Sequence, residues 1–214
     1  IENIAKEIEF VENKNCINII VNNVTHEPPR RETVQMIGKD FLIPIGEKYC
    51  FNESTESHFY ANYLAHESCA HFFKFLKDNE CWDNSRIIIV GDHGGAGMRV
   101  KGMDFIDAFA GRDFAVESLI PLIMMKDFNS QGSLQKDYTF MTLADIPALT
   151  TKDLSAELQN NPFTGKKFLD TQNKEIVKSV EAGNWHANHQ LKATQFDVEG
   201  WVYVKDNVYD PACW

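Results

Sequence analysis

Apolar positions along this chain follow two different rhythms. Short unbroken runs rich in β-branched residues occur at "CINIIVNNV" (16–24), "RIIIVG" (86–91) and "SLIPLIMM" (118–125). Runs of this length and composition predict buried strands. The first ends at "THEPPR", where two prolines block continuation. Pro121 inside the third predicts an edge or irregular strand. Between the first two runs the pattern changes: Phe59, Tyr63, Leu64, Cys69, Phe72, Phe73 and Leu76 recur at three- and four-residue steps. That spacing predicts an amphipathic helix over 57–79, with Ser57 placed to cap its start and the polar turn-formers of "KDNECWDNS" ending it.

Further on, "TLADIPALT" (142–150) predicts a short helix interrupted at Pro147, and "NNPFTGKK" (160–167) a turn. Two alternating segments around Glu199–Gly200 predict a β-hairpin over 193–210. Apolar runs that alternate with helical periodicity indicate the α/β class. The expected fold is a mixed sheet flanked by helices, with an antiparallel hairpin near the end.

Composition narrows the function. The 214 residues, with 43% hydrophobic content and 15 Phe, suffice for a sizeable core. A net charge of −10 without clustered Lys or Arg argues against nucleic acid as a partner. No apolar run reaches the ~20 residues of a membrane span, and the start lacks a signal-peptide pattern. Ile1 is not a natural initiator, so the chain is expected to be a piece whose targeting segment, if any, lies upstream. The cysteines at 16, 50, 69, 81 and 213 form no CxxC; buried free thiols, with at most one bridge, are expected.

Chemistry is concentrated where strands end. In open α/β sheets ligands sit beyond the carboxyl ends of the strands. "VGDHGG" puts Asp92 and His93 at one such exit, and "VTHEPPR" puts His26 at another. A carboxylate beside an imidazole suits a divalent ion such as zinc or manganese. Adjacent residues reach one ion if the chain turns at once, which Gly94 and Gly95 permit. The plain alternative is that Asp92 caps a turn and His93 lies on the surface, because two residues never complete a four-ligand site. His26 taken alone, a histidine in a Pro-rich loop, reads more readily as an exposed polar residue than as a ligand. His58, His66 and His71 fall on the long helix, "HANH" (186–189) reads as a solvated loop, and Asn23 and Asn52 head N-x-S/T triplets. There is no G-x-S-x-G elbow, and "TGKKF" lacks the leading glycine and hydroxyl residue of a P-loop.

Several stretches, in order, resemble a known family: "NIIVNNVTHEPP", "LKDNECWDNSRIIIVGDHGG", "SLIPLIMMKDFNSQGSL", "FMTLADIPALTTKDL", "NNPFTGKKF" and the tail "GWVYVKDNVYD". Together they look like the C-terminal half of a sulfatase-like hydrolase/transferase of the alkaline phosphatase superfamily. Within it they are most similar to the membrane-anchored branch of lipoteichoic acid synthases and phosphoethanolamine transferases. The resemblance implies that residues 1–214 are the C-terminal part of such a catalytic domain, with an alkaline phosphatase-like, mainly parallel sheet. It implies one divalent metal (zinc, manganese, magnesium or calcium) held in part by Asp92 and His93. It also implies that His26 contacts the transferred phosphate or sulfate.

The family's nucleophile and a further carboxylate ligand have no counterpart here and are expected upstream of Ile1, so this chain alone is expected to be inactive. The implied partners are a phosphate- or sulfate-ester substrate, possibly lipid-linked, and the missing N-terminal half, which would cover apolar faces of this piece. A membrane enters only through an absent N-terminal segment, and the implied location is the outer face of the membrane or the periplasm. Phosphoglycerol or phosphoethanolamine transfer is the leading expectation. Ester hydrolysis and a non-catalytic binding module of the same fold are the alternatives.

Overall fold

A computed structural model describes residues 7–9, 11, 14–26, 28–95, 97, 99–102, 108–109, 114–153, 160, 177–179, 190–192, 195–196 and 201–214. The chain divides into two units. The first contains residues 1–85, 97–103 and 126–130; the second contains 86–96, 104–125 and 131–214.

The first unit is helical. Helix α1 (Arg31–Met36) leads through a 3-10 turn (Asp40–Leu42) into α2 (Ile43–Tyr49) and then α3 (Glu53–Asp78). Helix α3 covers the expected stretch but starts earlier, because Asn52 rather than Ser57 is its cap: the Asn52 Oδ1 accepts the Thr55 N–H at 2.8 Å. Val34, Leu42, Ile43 and Tyr60 are buried together, with Phe59 and Tyr63 against them. Fully burying one aliphatic or aromatic side chain of this size stabilises by about 1.5–3 kcal/mol. Tyr60 also donates to Glu56 Oε2 at 3.0 Å; burial, then that bond, pushes its hydroxyl up to about 12. After α3, the Trp82 ring packs on Phe73 and carries Lys77 at 4.6 Å and Lys126 at 4.8 Å from its centroid. Lys126 donates to the Trp82 and Ser85 carbonyls, which fixes the loop leading to the next strand.

The run 16–24 differs from expectation. Among the described residues, 16–23 pair with no strand, and Ile17, Ile19 and Val21 are 58%, 87% and 80% exposed. β-branched residues favour extended backbone, but a strand is completed only by the neighbour that takes up its hydrogen bonds.

In the second unit, β1 (Ile87–Val90) pairs with β2 (Ile123–Lys126). Gly91 N–H donates to the Leu122 carbonyl at 2.9 Å, so the end of β1 lies beside the start of β2. β1 is half-buried rather than fully buried, and Val90 is 44% exposed. The run 118–125 is not one strand. It is divided between the short helix α4 (Val116–Leu119) and β2, with Pro121 in the gap where its missing N–H costs no ladder bond. Pro147 likewise does not interrupt a helix. A 3-10 turn (Leu143–Asp145), closed by a Thr142–Asp145 capping box, runs into α5 (Ile146–Thr151), and Pro147 stands in the first turn of α5.

Two further antiparallel pairs complete the unit: β3 (Val177–Ser179) with β6 (Val202–Val204), and β4 (Gln190–Lys192) with β5 (Gln195–Phe196). Among the described residues of the hairpin expected over 193–210, β5 and β6 pair with β4 and β3 and not with each other. Only two residues separate Lys192 from Gln195, so closing that loop costs less chain entropy than a longer one. The Glu199–Gly200 turn and "NNPFTGKK" beyond residue 160 lie outside the described residues. Among the described residues the strands form three two-stranded sheets.

Arg86, 5% exposed, ties the start of β1 to the end of α5. Its guanidinium donates to the Leu149, Thr150 and Lys152 carbonyls and to Asp153. A cation at a helix C-terminus also meets the negative end of the helix dipole. All five cysteines are unbridged, and only Cys50 is buried, so the expectation of mostly buried thiols does not hold. No helix among the described residues is long and apolar enough to cross a membrane.

Candidate metal centre

The chain leaves β1 at Val90, and within three residues both candidate ligands are in solvent. Asp92 is 90% exposed and His93 70% exposed at the side chain. Each is held by a short-range bond. Asp92 Oδ1 accepts the N–H of His93 at 3.0 Å. His93 Nδ1 lies 2.6 Å from the carbonyl oxygen of Gly94. A carbonyl only accepts, so Nδ1 carries the proton, and in the neutral ring Nε2 is left as a bare acceptor. That tautomer is the one a metal requires of a histidine bound through Nε2.

Nε2 lies 3.8 Å from Asp92 Oδ2. This is too long for a hydrogen bond. With donor–metal bonds of ~2.0–2.2 Å, two donors of a tetrahedral ion stand about 3.4 Å apart, so the pair would have to close by a few tenths of an ångström to share a cation. Two acceptor atoms at this distance gain nothing from each other until a cation lies between them. A protonated His93 would instead make a solvent-screened ion pair with Asp92, which contributes little. Asp92 and His93 could supply two ligands to a divalent ion after that adjustment. Among the described residues no group of three His, Cys, Asp or Glu is gathered for a metal, so no third ligand stands beside the pair there.

The glycine after the pair is needed for a different reason from the expected one. A Cβ on Gly94 would stand 1.8 Å from the carbonyl oxygen of Glu117 and 2.9 Å from its carbonyl carbon. The Gly94 N–H donates to the Ser118 carbonyl at 3.0 Å. Close approach to the α4 backbone, not backbone freedom in a turn, excludes a side chain here. Glu117 and Ser118 thus brace the loop through main-chain atoms, a role that no side-chain pattern announces.

His26 is exposed at the end of a turn, its N–H donating to the Asn23 carbonyl at 3.1 Å. It belongs to the first unit, whereas Asp92 and His93 belong to the second. On α3, His66 and His71 are exposed, while His58 is half-buried and desolvation lowers its pKa. The histidines of "HANH" lie outside the described residues. Comparison with family models, with curated proteins and with solved structures finds no match to the chain.

Proposed function

We propose that this chain carries part of the active site of a metal-dependent phospho- or sulfo-group transferase or hydrolase of the sulfatase-like type. The observation that supports it is the arrangement of Asp92 and His93. They form an exposed carboxylate–imidazole pair at a strand exit, with Nε2 bare and 3.8 Å from Oδ2. The reaction favoured is transfer of phosphoglycerol or phosphoethanolamine at the outer face of a membrane or in the periplasm, on an ester substrate that is possibly lipid-linked. The fold proposed with it is α/β with a mixed, mainly parallel sheet.

Asp92 and His93 would hold one divalent ion, which supplies polarisation of a tetrahedral anion. His26, from the loop after the first apolar run, donates to charge developing on the transferred group. No residue of this chain is assigned as the nucleophile. Hydrolysis differs only in that water replaces the acceptor alcohol. A non-catalytic module is the second reading, favoured by the lack of a third ligand beside the pair among the described residues.

Metal analysis of the complete protein with and without Asp92→Ala tests the proposal. Loss of stoichiometric metal together with activity is expected. Unchanged metal content and turnover in both Asp92→Ala and His93→Ala would leave the non-catalytic module.

A further inference from the structure

We propose that Tyr138 and Tyr209 form a binding corner for a quaternary ammonium group, separate from the Asp92–His93 pair. Their ring centroids are 6.2 Å apart with the planes at 79°, an edge-to-face pair with two walls at nearly a right angle. Both rings stay in water: Tyr138 is 71% exposed and Tyr209 46%. Ordering a large apolar side chain without burying it forgoes most of the area-dependent gain.

The backbone beneath each ring is nonetheless fixed. Tyr138 stands on an Asx turn in which Asp137 Oδ1 accepts both the N–H and the hydroxyl of Thr139, at 2.9 and 2.6 Å. Tyr209 stands in the closed segment 205–214. There its own N–H donates to Asn207 Oδ1, Lys205 N–H reaches the Cys213 carbonyl, and the Trp214 indole donates to the Val208 carbonyl.

Charge selects the ligand. Asp137 precedes Tyr138 and Asp210 follows Tyr209, while the chain as a whole carries −10. A negative field and two aromatic faces attract a cation and repel an anion. Each of these carboxylates already accepts a local bond through Oδ1, Asp137 from Thr139 and Asp210 from Ala212 N–H at 2.9 Å. The Thr139 bonds also hold the Asp137 carboxyl below the usual carboxylate range, so it is charged at neutral pH. Both carboxylates keep Oδ2 as a further acceptor, so the preference among cations is set by the two ring faces, which favour an ion that lacks N–H groups and is weakly hydrated. A primary ammonium needs acceptors for its N–H groups; a quaternary ammonium needs only field and ring faces.

The test is saturation-transfer NMR of the whole chain with tetramethylammonium, choline and methylammonium chlorides, with sodium chloride at matched ionic strength as the blank. Saturable transfer to the quaternary methyl groups is expected, weakened roughly fivefold or more in Tyr138→Leu and Tyr209→Leu. Tyr138→Phe, which keeps the ring face, should bind nearly as the parent does. Asp137→Asn, which keeps the acceptor for Thr139 but loses the charge, should bind more weakly even if the leucine variants fail to fold. Sedimentation with phosphatidylcholine vesicles, reversed by free choline, would identify a lipid headgroup as the source. Choline binding without vesicle sedimentation would identify a soluble ligand. No saturable transfer, equal binding by Tyr138→Leu, or tighter binding of methylammonium overturns the proposal.

Discussion

His93 Nε2 lies 3.8 Å from Asp92 Oδ2, while the other polar atom of each side chain is already bonded to backbone next to it. The pair is therefore oriented before any ligand arrives. A site organised in this way binds with a smaller ordering cost.

Gly94 sets that orientation from the far side. Gly94→Ala would drive a methyl group into the Glu117 carbonyl, and neither backbone is free to yield cheaply. A loss of about 2–4 kcal/mol in urea denaturation is expected, with loss of any metal bound by the loop. A variant as stable as the parent would show that α4 moves aside.

The role proposed for His26 is separable from metal binding. In the complete protein, His26→Ala is expected to lower turnover roughly 100-fold while metal content stays stoichiometric. Loss of metal instead would make His26 a ligand.

Arg86 is a structural counterpart to the pair at the other end of β1. Replacing it with Met strands three carbonyls and the Asp153 bond, and chemical denaturation should show a loss of about 2–3 kcal/mol. Lys keeps the charge but not the fork of donors, so Arg86→Lys should recover less than half of the loss.

His58 links α3 to pH. Burial lowers its folded pKa below the ordinary 6.5, so the unfolded chain takes up a proton first. The neutral imidazole's contribution is complete above the unfolded value and is lost as pH falls through and below it. The urea midpoint should therefore fall more between about pH 7.5 and about pH 5.5 in the parent than in His58→Gln. Equal slopes would contradict the assignment.

Local signals in the sequence were legible where a single element decides the outcome. Period and length marked α3, and the Ile87–Val90 run marked β1. The α3 cap was overlooked because the periodic aromatics begin at Phe59; Asn52 with Thr55 three residues on was the available signal. Pro121 marks an irregular stretch beside an edge strand, as expected, whereas Pro147 does not interrupt a helix. Pro121 separates α4 from β2, and Pro147 begins α5, because a missing N–H is harmless at a boundary. Long-range choices were not legible. The run 16–24 has the composition of an interior strand yet pairs with none among the described residues, where β5 joins β4 rather than β6. Pairing depends on which partner is near, which composition does not encode. For the site, residue types at a strand exit pointed to Asp92 and His93, while the tautomer of His93 and the contact of Gly94 with Glu117 appear only in three dimensions.

Anomalous diffraction at the zinc or manganese edge, from crystals of the complete protein grown with that ion, tests the cation site most directly. The expected result is a peak at about 2.0–2.2 Å from both an Asp92 carboxylate oxygen and His93 Nε2. A peak bonded to neither residue, or a second hydrogen bond occupying Nε2 where the ion should be, would contradict it.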